Sequence, residues 1–386
     1  MWNNLPCDLL AHIFSFLPPD SLACAKSTCR NWHECPDYLQ LPESGQWWGR
    51  RNPAWFMAVP NRNRVSICYA QNPVNSRCYI LSLDFIPTHI RPVSPIGGLI
   101  LFRPISTTAL QLAVCNPFTR QIRHLPTLNV ARTNPAVGTI DELPSISIPG
   151  SQFQYRVYVV GGMSDAPSGG ATYEPTIEMY DSRTDSWAII GSVPIEYAVR
   201  LTVWTPNESV FCNGTLYWMT SARAYSVMGF EIATGKWKEL SVPLADRLEF
   251  AALVRRNGKL TVLGGKCGGD AYVWELGEGE VWGVVEKVPF ELGMKFLGGK
   301  GCWDNTRCVG NDGMVCLYKD LGSGMLGWRE VDNGGGRWDW FWIDGGCFTI
   351  RGHQLQNLQI KGLLLYPNLS RSGLFSSSLN RLCNLG

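Results

Sequence analysis

The sequence predicts a short all-α segment at the N-terminus followed by a large all-β domain. Apolar residues recur at helical spacing over the first 35 or so residues. From about Trp55 onward, short runs of Val, Ile, Leu, Phe and Tyr alternate with clusters of Gly, Asn, Asp and Pro, which is typical of strands and turns. A strand-and-aromatic pattern also recurs with a regular period in this second part. The chain has 386 residues, enough to bury a sizeable core.

The first helix is expected to begin at Leu5-Pro6, because proline is tolerated in the first turn, and to end at Pro18-Pro19. Its apolar residues share one face: Leu9, Leu10, Ile13, Phe14 and Leu17. A second helix, capped by Asp20 or Ser21, is expected to continue past Trp32 and to end at Pro36.

Two or three short helices of about 40 residues bury too little surface to be stable alone. Their apolar face must therefore pack on the neighbouring domain or on a partner. Helical periodicity by itself leaves both possibilities open.

The N-terminal residues resemble the F-box family. The resemblance rests on the Leu-Pro start at Leu5, the Ile-Phe-Ser-Phe-Leu-Pro sequence from Ile13, and the Cys-Arg-Asn-Trp sequence ending at Trp32. It implies docking on a Skp-type adaptor and, through the adaptor, on the cullin of an SCF ubiquitin ligase. The positions that it implies for adaptor contact or packing are Leu5, Pro6, Leu9, Ile13, Phe14, Leu17, Leu22, Cys29 and Trp32.

The repeat combines an apolar strand, a glycine pair, an aromatic residue, a tryptophan and a proline. Its landmarks Trp187, Trp237, Trp282 and Trp328 are separated by 50, 45 and 46 residues. This pattern resembles the kelch repeat, in which each repeat forms one four-stranded blade of a β-propeller. The chain as a whole resembles plant F-box proteins with degenerate kelch repeats. Its length favours seven blades and leaves six possible.

The expected boundaries follow from these two resemblances. They are an F-box over 1–45, a junction over 46–54, a kelch-type propeller over 55–371 and a C-terminal tail over 372–386.

The densest aromatic cluster lies near the end of the predicted propeller. Alternate residues of a strand share a face, so Trp338, Trp340 and Trp342 are expected to lie together. They either pack between blades or, with Arg337, form a partner-binding surface, because tryptophan and arginine are favoured in binding hot spots.

Composition argues against several other functions. The net charge is only +2 and no long basic stretch occurs, so a nucleic-acid ligand is not expected. No apolar run reaches the roughly 18 residues that a membrane-spanning helix needs. The 14 cysteines are irregularly spaced without a CxxC pair, which favours free thiols and an intracellular location, in the cytoplasm, the nucleus or both. With five histidines and no catalytic signature, we expect neither an enzyme nor a metal or cofactor.

The sequence therefore predicts a substrate-recognition subunit of an SCF-type ubiquitin ligase. The F-box would dock on the adaptor while the propeller binds an unidentified target protein. Two alternatives remain. One is a non-degradative co-regulator that binds a partner such as a transcription factor, and the other is a propeller with an enzymatic or small-molecule site in its channel.

Overall fold

The computed structural model describes most of the chain, and every structural statement below concerns those parts. They are residues 5–17, 19–33, 35, 54–60, 67–73, 77–87, 89–105, 109–142, 154–166, 169–203, 209–299, 301–320, 322–331, 336–345, 349–350, 353–354 and 359–369. Almost all of the predicted 46–54 junction and the whole of the 372–386 tail lie outside them.

The N-terminal segment forms three helices, α1 (Cys7–Ser15), α2 (Pro19–Lys26) and α3 (Arg30–His33). The predicted second helix is thus two helices. It ends after Lys26, where the hydroxyls of Ser27 and Thr28 donate hydrogen bonds to the carbonyls of Cys24 and Ala25, each 2.7 Å long. Such side-chain bonds to nearby carbonyls compete with the continuing helix.

The all-β part contains six four-stranded antiparallel sheets, numbered here as blades 1 to 6. Blade 1, from its innermost strand outward, consists of β28 (Ile360–Leu365), β1 (Trp55–Pro60), β2 (Ile67–Gln71) and β3 (Cys78–Ser82). Blade 2 consists of β4 (Ile90–Ile96), β5 (Leu99–Pro104), β6 (Ala113–Asn116) and β7 (Gln121–His124). Blade 3 consists of β8 (Ala136–Glu142), β9 (Gln154–Val160), β12 (Thr176–Asp181) and β13 (Ser186–Ser192).

Blade 4 consists of β14 (Ser209–Cys212), β15 (Thr215–Ser221), β16 (Tyr225–Glu231) and β17 (Trp237–Ser241). Blade 5 consists of β18 (Leu248–Arg256), β19 (Lys259–Lys266), β20 (Ala271–Leu276) and β21 (Trp282–Lys287). Blade 6 consists of β22 (Arg307–Asn311), β23 (Met314–Tyr318), β24 (Met325–Glu330) and β25 (Trp338–Ile343). Short hairpins are formed by β10 (Met163–Asp165) with β11 (Ala171–Tyr173) and by β26 (Thr349–Ile350) with β27 (His353–Gln354).

The blades form a closed ring. Each innermost strand contacts the innermost strand of the next blade, and β22 and β4 both contact β28. The ring closes inside blade 1, where β28 pairs with β1 from Leu365 opposite Trp55 to Ile360 opposite Pro60. A six-bladed propeller, the smaller of the two counts left open by the sequence, is therefore confirmed.

Six blades use the length that seven simple repeats would need, because several connections carry extra elements. Helix α4 (Ile195–Val203) connects blades 3 and 4, and helix α5 (Phe290–Leu297) connects blades 5 and 6. Both follow a proline, Pro194 and Pro289, that the sequence pattern treats as a repeat landmark. The hairpin of β10 and β11 lies within blade 3.

The propeller core is divided among the interfaces between blades. Six buried apolar clusters each join two neighbouring blades. Strand β9 shows why the strands are apolar on both faces. Val157 and Val159 pack toward blade 2, whereas Tyr158 and Val160 pack toward blade 4. This alternation follows from the two-residue period of a strand buried on both sides.

Each glycine pair of the repeat serves the fold in a different way. Gly162 has φ +96°, and an added Cβ would lie 2.7 Å from the carbonyl oxygen of Thr133. Gly265 lies in strand β19, and an added Cβ would lie 2.3 Å from the ring of the fully buried Trp303. The first pair therefore needs a left-handed backbone and the second needs room for an indole.

Candidate functional site

Helix α1 is apolar on two faces, and only one of them is buried. Leu9 and Ile13 of α1 and Phe16, which caps its C-terminus in a helical conformation, are spaced four and three residues apart, so they share one side of the helix. Their exposed fractions are 45%, 40% and 56%. Large apolar side chains grouped on one exposed helix face are typical of a protein-binding surface. We call these three residues the α1 face.

The opposite side of α1 forms the small core of the N-terminal segment. Leu10, Phe14 and Leu22 are each 3% exposed or less, and they form one cluster with Ala11 and Cys35. The rings of Phe14 and Trp32 meet edge to face at 5.6 Å between centroids. This core fixes the orientation of α1 and thereby presents the α1 face.

The structure sorts the nine predicted F-box residues into three groups by their burial. Pro6, Leu9 and Ile13 are exposed, whereas Phe14 and Leu22 are buried in the core. The half-buried residues are Leu5, Leu17, Cys29 and Trp32. Phe16 belongs to the exposed group although the sequence analysis did not include it. Its spacing from Leu9 and Ile13 is the signal that could have found it.

The N-terminal core also contacts the end of the propeller chain. Leu369 packs against the cluster of Leu10 and Phe14. The preceding residue is held on blade 2, since the side-chain amide of Asn116 donates a 2.8 Å hydrogen bond to the carbonyl of Asn368. Asn368 also lies against Gly98, in the turn that follows inner strand β4. The N-terminal helices thus contact the propeller chain at the end of the channel where the inner strands finish.

The predicted aromatic cluster lies in the outermost strand of blade 6. Trp338 is buried, and Trp340 and Trp342 are half-buried against the core between blades 5 and 6. Trp340 stacks on Trp328, and the guanidinium of Arg256 lies 5.1 Å from the centre of the Trp338 ring. These contacts give the tryptophans a packing role between blades.

The other sequence prediction for this cluster, a partner-binding surface, stays a prediction. Arg337 is exposed and donates hydrogen bonds to the carboxylate of Asp339 at 3.2 and 3.3 Å. It is the member of the predicted set with the most accessible side chain.

One landmark of the repeat is shifted in the structure. Trp187, Trp237 and Trp282 each lie at or next to the start of an outermost strand. Each indole N–H donates to a carbonyl near the end of the outermost strand of the preceding blade: Pro126 at 2.8 Å, Ser192 at 3.2 Å and Ser241 at 2.7 Å. In blade 6 the corresponding position is Trp338, because Trp328 lies in the third strand. The even spacing that ends at Trp328 therefore mixes two structural positions.

Among the described residues, one group of side chains has the composition of a cation site. Ligand atoms of Glu249, Cys302 and Asp304 lie within 4.8 Å of one another. Two of these atoms already accept backbone hydrogen bonds: a Glu249 carboxylate oxygen from Trp303 at 2.8 Å, and the Cys302 sulfur from Asp304 at 3.4 Å. These hydrogen bonds hold the loop that carries Trp303 in place, and they account for the closeness of the three side chains.

All twelve cysteines within the described ranges are free thiols, and half of them are buried. Burial raises the pKa of Cys68 to about 12. None of the helices in those ranges combines the length and apolar character needed to cross a membrane.

Comparison with known families agrees with this architecture. Residues 2–39 match the F-box-like family, and residues 66–282 match the F-box associated beta propeller domain. The second match alone covers more than half of the chain.

Curated relatives from Arabidopsis thaliana align over most of the chain. F-box only protein 6 is 22% identical over 82% of this chain and 64% of its own length. Protein UNUSUAL FLORAL ORGANS is 23% identical over 89% of this chain and 78% of its own length. An F-box/kelch-repeat protein is 26% identical over 89% of this chain and 82% of its own length. The chain thus spans slightly less than two thirds of the first relative and about four fifths of the other two.

The N-terminal helices, the six-bladed ring and the extent of these matches lead to one assignment. The chain belongs to the F-box proteins that carry an F-box associated beta propeller domain, and it is similar to plant F-box/kelch-repeat proteins.

Proposed function

We propose that this protein is the substrate-recognition subunit of an SCF-type ubiquitin ligase, located in the cytoplasm, the nucleus or both. Its F-box would dock on a Skp-type adaptor, and its propeller would bind the target protein. The chain itself would do no chemistry. It would raise the local concentration of target lysines near the ubiquitin carrier.

The α1 face carries this proposal. Leu9, Ile13 and Phe16 place three large apolar side chains in solvent, in a chain where most such residues are buried between blades. Burying an apolar side chain on a partner stabilises the complex by roughly 1.5–3 kcal/mol when it is complete. The match to the F-box-like family supports a Skp-type adaptor as the occupant.

Co-expression of this protein with a Skp-type adaptor tests the proposal. We expect a stoichiometric complex for the wild type and none for Leu9→Arg combined with Ile13→Arg, because two charges would be buried at the interface. Val284→Arg is the matched control, since Val284 is 64% exposed on the outermost strand of blade 5. It should bind the adaptor like the wild type.

Two results would contradict the proposal. One is the absence of a complex with the wild-type chain. The other is unchanged binding by the double variant, with a melting temperature that shows intact folding. A target whose abundance does not change when the F-box is removed would instead favour the non-degradative co-regulator.

A further inference from the structure

The two ends of the propeller channel differ in how their charges are balanced. Every blade has the same strand order, so the six inner strands run in the same direction along the channel. Each inner strand therefore contributes its first residues to one end and its last residues to the other. We call these the entry end and the exit end of the strands.

At the exit end, positive charge is compensated. Arg255, near the end of β18, forms a 2.5 Å ion pair with Asp312 of the next blade. Burial acts to lower the pKa of Arg255, but the hydrogen bond and charge of Asp312 raise it above its usual value, and Asp141 of β8 contributes in the same direction. This end is also where Leu369 contacts the F-box.

At the entry end, three neighbouring blades present cations. Arg307 opens β22 of blade 6, Lys361 is the second residue of β28 in blade 1, and Arg91 is the second residue of β4 in blade 2. Arg307 donates a 2.6 Å hydrogen bond to the carbonyl of Ile360, next to Lys361. Arg103 of β5 lies directly opposite Arg91 in the sheet. We call Arg91, Arg103, Arg307 and Lys361 the cationic mouth.

The charges of the cationic mouth act on one another. Burial and, to a smaller extent, the positive charge of Arg91 together lower the pKa of Lys361 to about 8. Burial and then Arg91 also lower the pKa of Arg103. Within the described parts of the chain, no carboxylate forms an ion pair with Arg91 or Arg103.

This arrangement is unfavourable for the isolated protein. Like charges that lie directly opposite each other on adjacent strands destabilise a sheet. Arg91 and Arg103 have this geometry, and Lys361 adds a third charge nearby. These cations are concentrated in blades 6, 1 and 2, since Glu249, the second residue of β18 in blade 5, brings a carboxylate to the same end. An anionic ligand seated among the arginines would remove the repulsion and receive charge-assisted hydrogen bonds.

We propose that the cationic mouth binds an acidic peptide segment of the target protein, whose carboxylate or phosphate oxygens would lie between Arg91 and Arg103. This inference rests on the proposed function, because it assigns a substrate class to the propeller of the receptor. It places the target at the end of the channel opposite the F-box contact.

Fluorescence anisotropy with the full-length protein tests the inference. The probes are a labelled ten-residue glutamate peptide and a labelled peptide of the same length containing phosphoserine, each measured at low and at high salt. We expect the wild type to bind at least one of them, with binding weakened by salt. Arg91→Glu combined with Arg103→Glu should weaken binding about tenfold or more. Lys236→Glu, an exposed charge reversal in the turn between β16 and β17 of blade 4, is the matched control and should bind like the wild type.

A preference for one probe shows whether the cationic mouth favours a carboxylate or a phosphate. Either preference supports the inference, provided that the double arginine variant loses binding. A wild type that binds neither probe, or a double variant that binds as well as the wild type, overturns the inference. Binding of a single-stranded nucleic acid with both peptides inert would overturn it as well.

Arg103→Met separates a binding role from a structural one. If the arginine pair is kept for ligand binding, this variant should retain or raise the melting temperature while losing peptide affinity. A lower melting temperature with unchanged affinity would contradict the inference.

Adaptor co-purification is measured on the same variants. If the protein binds the peptide but no adaptor, the receptor proposal is refuted and peptide binding by the cationic mouth stands. If it binds the adaptor but no peptide, only the proposal for the cationic mouth is refuted.

Discussion

The buried ion pair of Arg132 and Glu178 offers a sharp test of what holds the propeller together. Both side chains are completely buried, and the Arg132 Nη2 lies 2.5 Å from a Glu178 carboxylate oxygen. The same carboxylate accepts hydrogen bonds from the backbone N–H of Asn129 at 2.7 Å and of Val130 at 3.0 Å. The chain between blades 2 and 3 is therefore fastened to blade 3 through one carboxylate.

Glu178→Ala would leave the guanidinium and these two N–H groups without their acceptor. Breaking a buried pair by removing one partner costs about 3–5 kcal/mol. We expect this loss in the free energy of unfolding. Remaining bonds from Arg132 to the carbonyls of Gly161 and Thr176 favour the lower part of that range.

Urea unfolding followed by tryptophan fluorescence measures the change. Glu280→Ala is the control, because Glu280 forms a 2.8 Å pair with Lys238 in which both side chains are substantially exposed. Exposed pairs contribute roughly 0–1 kcal/mol, so the control should remain close to wild type. A Glu178→Ala protein within about 1 kcal/mol of wild type would refute the reasoning on buried charge.

Two further predictions concern ionisable side chains. The hydrogen bonds from Arg183 lower the pKa of Asp181 from 3.8 to about 2. Its contribution to stability is therefore present above about pH 4 and lost as the pH falls toward 2. Asp181→Asn should cost about 1–2 kcal/mol at neutral pH, after allowance for the exposure of Arg183, and the difference should vanish in acid unfolding curves; a difference that persists at pH 2 would contradict this. Because burial raises the pKa of Cys68 to about 12, a short maleimide treatment at pH 8 should label the exposed Cys267 and leave Cys68 unlabelled. Peptide mapping by mass spectrometry checks this, and equal labelling of the two thiols would show that the core between blades 1 and 2 opens readily.

The sequence predicts those features that local patterns determine. The α1 helix and the apolar strands follow from spacing alone, and the repeat identifies the fold. Helices α4 and α5 were not predicted, although Glu196 and Glu291 follow the prolines in their first turns and apolar residues recur in both at helical spacing. Both helices are short and lie between strands, so their apolar residues were interpreted as part of the β pattern.

Features that depend on ring closure could not be predicted from spacing. Arg307, Lys361 and Arg91 are far apart in the sequence, and they share one end of the channel only because β28 closes blade 1 between blades 6 and 2. The shift from Trp328 to Trp338 has a similar cause, since an even period does not report which strand of the blade a tryptophan occupies. Contacts across the ring are long-range, and a single sequence carries no local signal for them.

The contact of Leu369 with the F-box core joins the N-terminal helices to the propeller. Asn368 is fastened to blade 2, so Leu369 connects the propeller to the cluster beneath the α1 face. Leu369→Asp should remove this apolar contact and put a charge against Leu10 and Phe14. Because Leu369 is only half-buried, we expect a cost of about 1–2 kcal/mol to the F-box core.

Hydrogen exchange localises that cost. Amides of α1 should exchange faster in the variant, while the strands of the blades and the melting temperature of the propeller should remain unchanged. Leu244→Asp, at an exposed site between blades 4 and 5, provides the matched control. Unchanged exchange in α1 would mean that the F-box core does not depend on its contact with Leu369, which would refute this argument.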